Sequence, residues 1–238
     1  MRNASLIWIN AGKFFMDTIA QIRDIALFEG IGRERLNSLA QKVARRPFRP
    51  GDLIIGEEDP ARAFFVVLSG KVKLYKSSAE GKEQTLYVLG PGEPFGLCTA
   101  FAVESFPASA MALEEGSLLV IPGPVIEEIA GREPSLLLNI IRVLSRRLKD
   151  SMALVESLSL MEIPQRLATY LLSLSPGAAD KSVTLPVTQR ELAKILGSTP
   201  EALSRAIKKM STEGLLRTDG RLIHMPDRQA LVRLAEGS

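Results

Sequence analysis

The chain has 238 residues, 46% of them hydrophobic and 24% charged, the balance of a globular protein built as one large domain or two ordinary ones. A single cysteine excludes an internal disulfide and points to a reducing cytoplasm, and a single histidine excludes zinc fingers of the two-Cys, two-His type, HExxH proteases and His-rich metal barrels. The net charge of +3 is uneven: 19 Lys and Arg face 20 Asp and Glu up to Ile163, whereas 11 face 7 from Pro164 onward, as expected if that last third touches a polyanion.

Residues 1–15 read as a cytosolic extension. Their short apolar run loosely resembles a signal peptide, but Asn10 interrupts it, no A-x-A site follows and Asp17 comes next; Met16 as the true initiator is the alternative. No stretch approaches the roughly 20 apolar residues of a membrane helix, so no membrane association is expected. From Met16 to about Lys42 the apolar spacing predicts short helices. Between Arg49 and Pro122 the texture changes to short strands at 52–55, 63–68, 71–75, 84–89, 108–113 and 117–121, separated by Pro-, Gly- and Glu-rich turns. That spacing predicts an antiparallel sandwich or barrel.

A long helix is expected from Pro134 to Met161. Leu137, Ile141, Leu144, Leu148, Val155 and Leu158 follow four-three spacing along one seam, with Ser151 filling the gap and Arg146, Arg147, Lys149, Asp150 and Glu156 alongside. A narrow seam with polar flanks is the pattern of an interhelical contact, here a homodimer; a helix lying on the barrel is the competing reading. Pro164 stops this helix and suits the first turn of the next, which places a hinge at 162–165. The organisation expected is thus a barrel over 16–133, a dimerisation helix and hinge over 134–163, and a third module over 164–238.

That third module carries the strongest signal. Thr188 and Glu191 form a T-x-x-E capping box, Gly197 supplies a turn, Thr199 caps a second helix that begins at Pro200, and Gly214 follows its end. Two short helices with a Gly-containing turn are a helix-turn-helix. Leu203, Ala206, Ile207 and Met210 should face inward, while Glu201, Ser204, Arg205 and Lys208 share the opposite face. Arg205 has the fork for guanine O6 and N7, Glu201 accepts from cytosine N4, and Ser204 pairs with several bases. Lys208, Lys209, Gln189, Arg190 and Thr199 suit phosphates. Residues 217–221 read as the turn of a small basic wing, with His224 on its return strand.

With Pro50-Gly51-Asp52, Gly56-Glu57, the Phe64–Gly70 strand, Gly90–Gly96 and Glu201-x-x-Ser204-Arg205 in place, the chain resembles the CRP/FNR superfamily of bacterial transcription regulators, and its Pro200–Arg205 stretch is similar to the Dnr and HcpR branches. The resemblance implies an α+β fold: an N-terminal antiparallel β-barrel of the cyclic-nucleotide-binding jelly-roll type, a long dimerisation helix and a C-terminal winged helix-turn-helix. It implies a regulator that binds a palindromic operator in double-stranded DNA and contacts RNA polymerase. The departures matter equally. Leu97 follows Gly96 and Phe106 stands where cyclic-AMP-binding members carry an arginine, and a buried phosphate without a cation would be costly. That argues against cyclic AMP, and the single cysteine argues against an iron-sulfur cluster. Leu97, Cys98, Phe101, Phe106, Met111, Leu144 and Met152 are the expected lining of an apolar effector pocket between the barrel and the long helix. Haem sensing NO or CO is one occupant, with Cys98 or Met152 as axial ligand; Cys98 as a simple buried hydrophobe, an apolar metabolite, and cyclic-nucleotide-type binding in an altered pocket are the others. The rival class is a cupin-like barrel enzyme, which needs metal-ligating histidines that this sequence lacks.

Overall fold

The computed structural model describes residues 19–60, 62–101, 105–175, 177 and 181–237, so the extension at 1–15 lies outside the described residues. The chain divides into two compact units, one comprising residues up to 76 and 87–148, the other 77–86 and the chain from 149 on. The chain passes from one to the other inside the long helix, and a short piece at 77–86 belongs to the C-terminal unit.

The first unit is built on two four-stranded antiparallel sheets. One has the order β1 (Ala44–Phe48), β8 (Gly116–Pro122), β3 (Ala63–Ser69), β6 (Pro94–Phe95); the other has β2 (Leu53–Ile55), β7 (Ser109–Ala112), β4 (Val72–Ser77), β5 (Glu83–Leu89). The expected antiparallel roll is therefore present. Strand β3 reads as an unbroken apolar run because both its faces are covered. Phe65 and Val67 point into the roll with Phe48, Ile54, Val72, Leu89, Phe95 and Leu118. Phe64 and Val66 point the other way, into a second cluster with Phe28, Leu39, Leu119, Ile121 and Ile126. That second cluster is roofed by the 3-10 turn Ala26–Phe28, helix α1 (Arg33–Lys42), helix α3 (Gly123–Ala130) and the start of α4 (Pro134–Leu160). The turns joining β3 to β4 and β7 to β8 cross so closely that a Cβ on Gly70 or Gly116 would overlap the backbone of Glu115 or Ser69.

Four elements of this unit were not expected from the sequence: β1, the two-residue strand β6, the short helix α2 (Leu97–Phe101), and α3. Strand β1 contains Arg45, Arg46 and Pro47 and has four exposed residues out of five. It is an edge strand, paired only with β8, where a proline removes no needed ladder bond. Helix α4 matches its expected span to within one residue. Its Leu136, Asn139 and Ile140 are buried, and Asn139 ties it down by donating to the carbonyls of Leu27 (3.0 Å) and Glu29 (2.9 Å) while accepting from Arg142 (2.8 Å).

The second unit holds α5 (Ile163–Leu174), α6 (Gln189–Ile195), α7 (Pro200–Thr212), α8 (Arg228–Glu236) and a three-stranded sheet in the order β10 (Arg217–Asp219), β11 (Leu222–His224), β9 (Ser182–Thr184). Helix α5 opens on a full capping box between Glu162 and Gln165 with Pro164 in its first turn, as the proline position implied. One turn in, Arg166 donates to three carbonyls: Leu158 (2.9 Å) and Met161 (2.9 Å) at the end of the long helix, and Leu196 (3.0 Å) at the end of α6. These acceptors are orphans of helix termini, and one guanidinium satisfies all three.

Removing it should be costly. Arg166→Ala should lower the stability of the C-terminal unit by about 2–4 kcal/mol, and Arg166→Lys, a point charge without the planar fork, should recover only part of that. Urea unfolding of the full chain, followed by circular dichroism, checks both variants.

Candidate nucleic-acid interface

The two helices expected to read DNA form as the local sequence dictates. The Thr188 side chain accepts from the Glu191 backbone N–H and caps α6; the Thr199 side chain accepts from the Ala202 N–H and caps α7, whose first turn holds Pro200. Between them Gly197 takes φ +62°, a left-handed conformation that favours glycine, and a Cβ there would overlap the Leu158 side chain. Inside the hairpin Leu192, Ala193, Leu203, Ala206, Ile207 and Met210 are buried.

The opposite face of α7 is open. Glu201, Ser204, Arg205, Lys208 and Lys209 are all exposed. Glu201 is an acceptor: its own backbone N–H, then the Thr199 hydroxyl and the Arg205 charge, hold its carboxyl below the usual carboxylate range. Glu201 and Arg205 lie one turn apart, so acceptor and fork are set side by side on the surface a base edge would meet. Lys209 makes a loose pair with Glu213 at 3.9 Å. Gln189, Arg190 and Thr199 are exposed at the starts of the two helices, where free N–H groups and positive dipole ends favour phosphate. The structure therefore brings together every residue expected to contact DNA.

Two features of this region escaped sequence reasoning. The T-x-x-E pattern marks the start of α6, but Glu191 does not close a capping box. Its buried carboxylate accepts from the Thr85 hydroxyl at 2.7 Å and lies 3.7 Å from Lys194, which also pairs with Glu83 at 2.5 Å. The Gln84 amide adds a bond to the Ile195 carbonyl at 3.2 Å. The 77–86 segment thus packs on α6 inside the second unit. In the wing, Arg217, Thr218 and Asp219 are exposed, and Arg221, also exposed, donates twice to the Leu185 carbonyl at 2.9 and 2.7 Å.

The expected effector pocket is a different matter. Of its seven residues only Phe106 lies inside the roll. Met111 falls between Ala110 and Ala112 on β7; both alanines point into the roll, so Met111 points out. Helix α2 buries Leu97, Thr99 and Ala100, and Leu97 joins the outer cluster, which leaves Cys98 and Phe101 exposed. Leu144 and Met152 are 48% and 66% exposed on α4. Cys98 and Met152, the two candidate haem ligands, belong to different compact units.

A capped helix-turn-helix with an open polar reading face, in a chain that also folds an antiparallel roll, defines a DNA-binding transcription regulator. A model of the cyclic nucleotide-binding domain matches residues 45–133, and one of the Crp-like helix-turn-helix domain matches residues 165–234. The chain is 30% identical over 210 residues to the transcriptional activator protein anr of Pseudomonas aeruginosa, covering 86% of each. It is 29% identical over 211 residues to the cyclic AMP receptor protein of Thermus thermophilus, covering 89% of this chain and 97% of that protein. The solved structure of FixK2 from Bradyrhizobium japonicum is similar with a TM-score of 0.70 at 27% identity, over 81% of this chain and 96% of that one. The chain belongs to the CRP/FNR family of transcription regulators. The rival reading, a barrel enzyme, is thereby set aside. Among the described residues no helix is long and apolar enough to cross a membrane.

Arg205→Ala should cost about 1–3 kcal/mol of binding and relax discrimination at a single base pair, whereas Lys208→Ala should weaken cognate and scrambled DNA alike and flatten the salt dependence by about one unit of slope. Fluorescence anisotropy titrations with both duplexes at several salt concentrations separate the two behaviours.

Proposed function

We propose that the chain acts as a homodimer that binds a palindromic operator and that its roll does not take a cyclic nucleotide. The observation that carries the dimer is the two-sided character of α4. Leu136 and Ile140 are buried in their own unit, yet Leu137, Ile141, Leu144, Leu148 and Val155 remain 43–64% exposed along the other side. A contiguous row of large apolar side chains on a surface marks an interaction site. Its four-three spacing fits a second helix of the same kind, packed knobs into holes. Leu158 departs from the row: it is half-buried, and its side chain lies against Gly197.

A two-fold axis along that seam presents two copies of α7 to one face of DNA. The half-sites would then be separated by about one helical turn, roughly 34 Å. The roll's part in this is regulatory. By the resemblance Phe106 stands where cyclic-AMP-binding members carry an arginine, and its ring leans on Phe65 among apolar neighbours. An anion transferred there would lose its hydration without gaining a partner.

The test is direct. Selection from a random duplex pool should enrich an inverted repeat. Leu144→Glu combined with Leu148→Glu should yield a monomer by light scattering that loses about 100-fold or more in operator affinity while its roll stays folded, since one half-site must then be held without the other. A double variant that remains dimeric would move the interface off this seam.

A further inference from the structure

We infer that the chamber of the roll is already occupied by the chain's own Phe106 ring, so that operator binding requires no small molecule there. The inference rests on the reading of the chain as an operator-binding regulator and concerns how that regulator is controlled.

Three aromatic rings meet at the middle of the roll. Phe65 on β3 and Phe95 on β6 stack with centroids 4.9 Å apart and planes at 16°, and Phe106 leans on Phe65 at 6.0 Å and 52°. All three are at most 4% exposed. The remaining buried members of the cluster, among them Phe48, Ile54, Val67, Val72, Leu89, Ala110, Ala112 and Leu118, come from both sheets and pack between them. Protein interiors of this kind pack as densely as organic crystals, and a ligand can enter only by displacing a side chain.

Phe106 is held in place from three directions. Its N–H donates to the Asp59 carbonyl at 3.1 Å, and its carbonyl accepts from the Glu58 N–H at 2.8 Å. Glu58 takes φ +66°, an uncommon conformation for a residue with a side chain. On the far side stands Gly96, at φ +81°. A Cβ there would lie 3.0 and 3.2 Å from two carbons of the Phe106 ring and 2.9 Å from the Ala63 carbonyl. A missing side chain on one strand end and a clamped backbone on the other thus make a seat of one phenyl ring's width, and the ring is in it. Two small residues on β7, Ala110 and Ala112, line the same interior.

The seat therefore has an own-chain ligand, and its chemistry is that of benzene rather than of a nucleotide or a porphyrin. Emptying it should create a dry apolar cavity that accepts a small aromatic molecule. The experiment has two arms on the full-length protein. In the first, protein is unfolded, washed free of small molecules and refolded, and native mass spectrometry and anisotropy on the selected operator compare it with protein as purified. We expect no bound mass in either sample and affinities that agree within about twofold. A stoichiometric adduct, or binding lost on washing and restored by the wash, would overturn the inference. In the second arm, thermal melts are recorded with benzene, cyclic AMP and haemin. Wild type should be unmoved by all three. Phe106→Ala, or Phe106→Leu should the alanine variant fail to fold, should melt lower and be raised by benzene by several degrees. Protection of wild type by cyclic AMP or haemin, or variants blind to benzene, would overturn it. Should the pool yield no operator, the DNA reading fails, while the mass and melting measurements still decide the occupant of the roll.

Discussion

Three backbone carbonyls stranded at helix ends meet one guanidinium, and the DNA-reading unit is arranged around that meeting. A helix leaves its last carbonyls without intrahelical partners, and two helices end close together here, α4 at Leu160 and α6 at Ile195. Arg166 stands in the first turn of α5 and reaches Leu158, Met161 and Leu196 at once. Gly197 follows directly and has no Cβ because the Leu158 side chain already fills the place. The turn between the two helices of the helix-turn-helix is therefore positioned by the end of the long helix. These contacts tie the end of that helix to the turn that precedes α7.

The same constraint explains what was legible in the sequence and what was not. Helix α7 was readable because its determinants are local: a threonine cap and a proline at its start, Gly214 beyond its end, and apolar residues at Leu203, Ala206, Ile207 and Met210 that fix which face is left for DNA. The exposed apolar row of α4 from Leu137 to Val155 follows from local spacing in the same way. Arg166 was not readable, because its partners lie 5, 8 and 30 positions away and nothing in its own neighbourhood signals them. Glu191 is the intermediate case. The pattern identified the cap correctly, yet Thr85, 106 positions distant, took the side chain that the pattern had assigned to the cap.

Which way the residues around the roll point was not legible in the sequence, for a geometric reason. On a strand a one-residue shift exchanges inside for outside, and Met111 stands next to two alanines that read as filler but in fact face the core. Helix α2 has five residues, too few for a periodicity to reveal that Cys98 and Phe101 turn to solvent while Leu97 and Ala100 are buried. The one signal available was Phe106, a ring in the stretch where a charged group would mark an anion site. Strand β1 was missed because Arg45, Arg46 and Pro47 look like a turn, and only its place at the edge of a sheet makes that composition acceptable.

Charge deserves the same separation of composition from placement. The last third of the chain has 11 Lys and Arg, and a count alone would assign them all to a polyanion. Arg166 and Arg221 donate to backbone carbonyls, Arg228 binds the Ser175 carbonyl, and Lys194 bridges Glu83 and Glu191. These four hold the unit together. The cations on the DNA-facing helices are fewer: Arg190 at the start of α6 and Arg205, Lys208 and Lys209 on α7, with Arg217 on the wing. Counterion release counts only charges that reach phosphate, so the electrostatic part of binding follows this smaller set. The basic excess that first drew attention to the C-terminal third is thus partly scaffold, and Glu201, Ser204 and Arg205 stand exposed on α7 beside the smaller set.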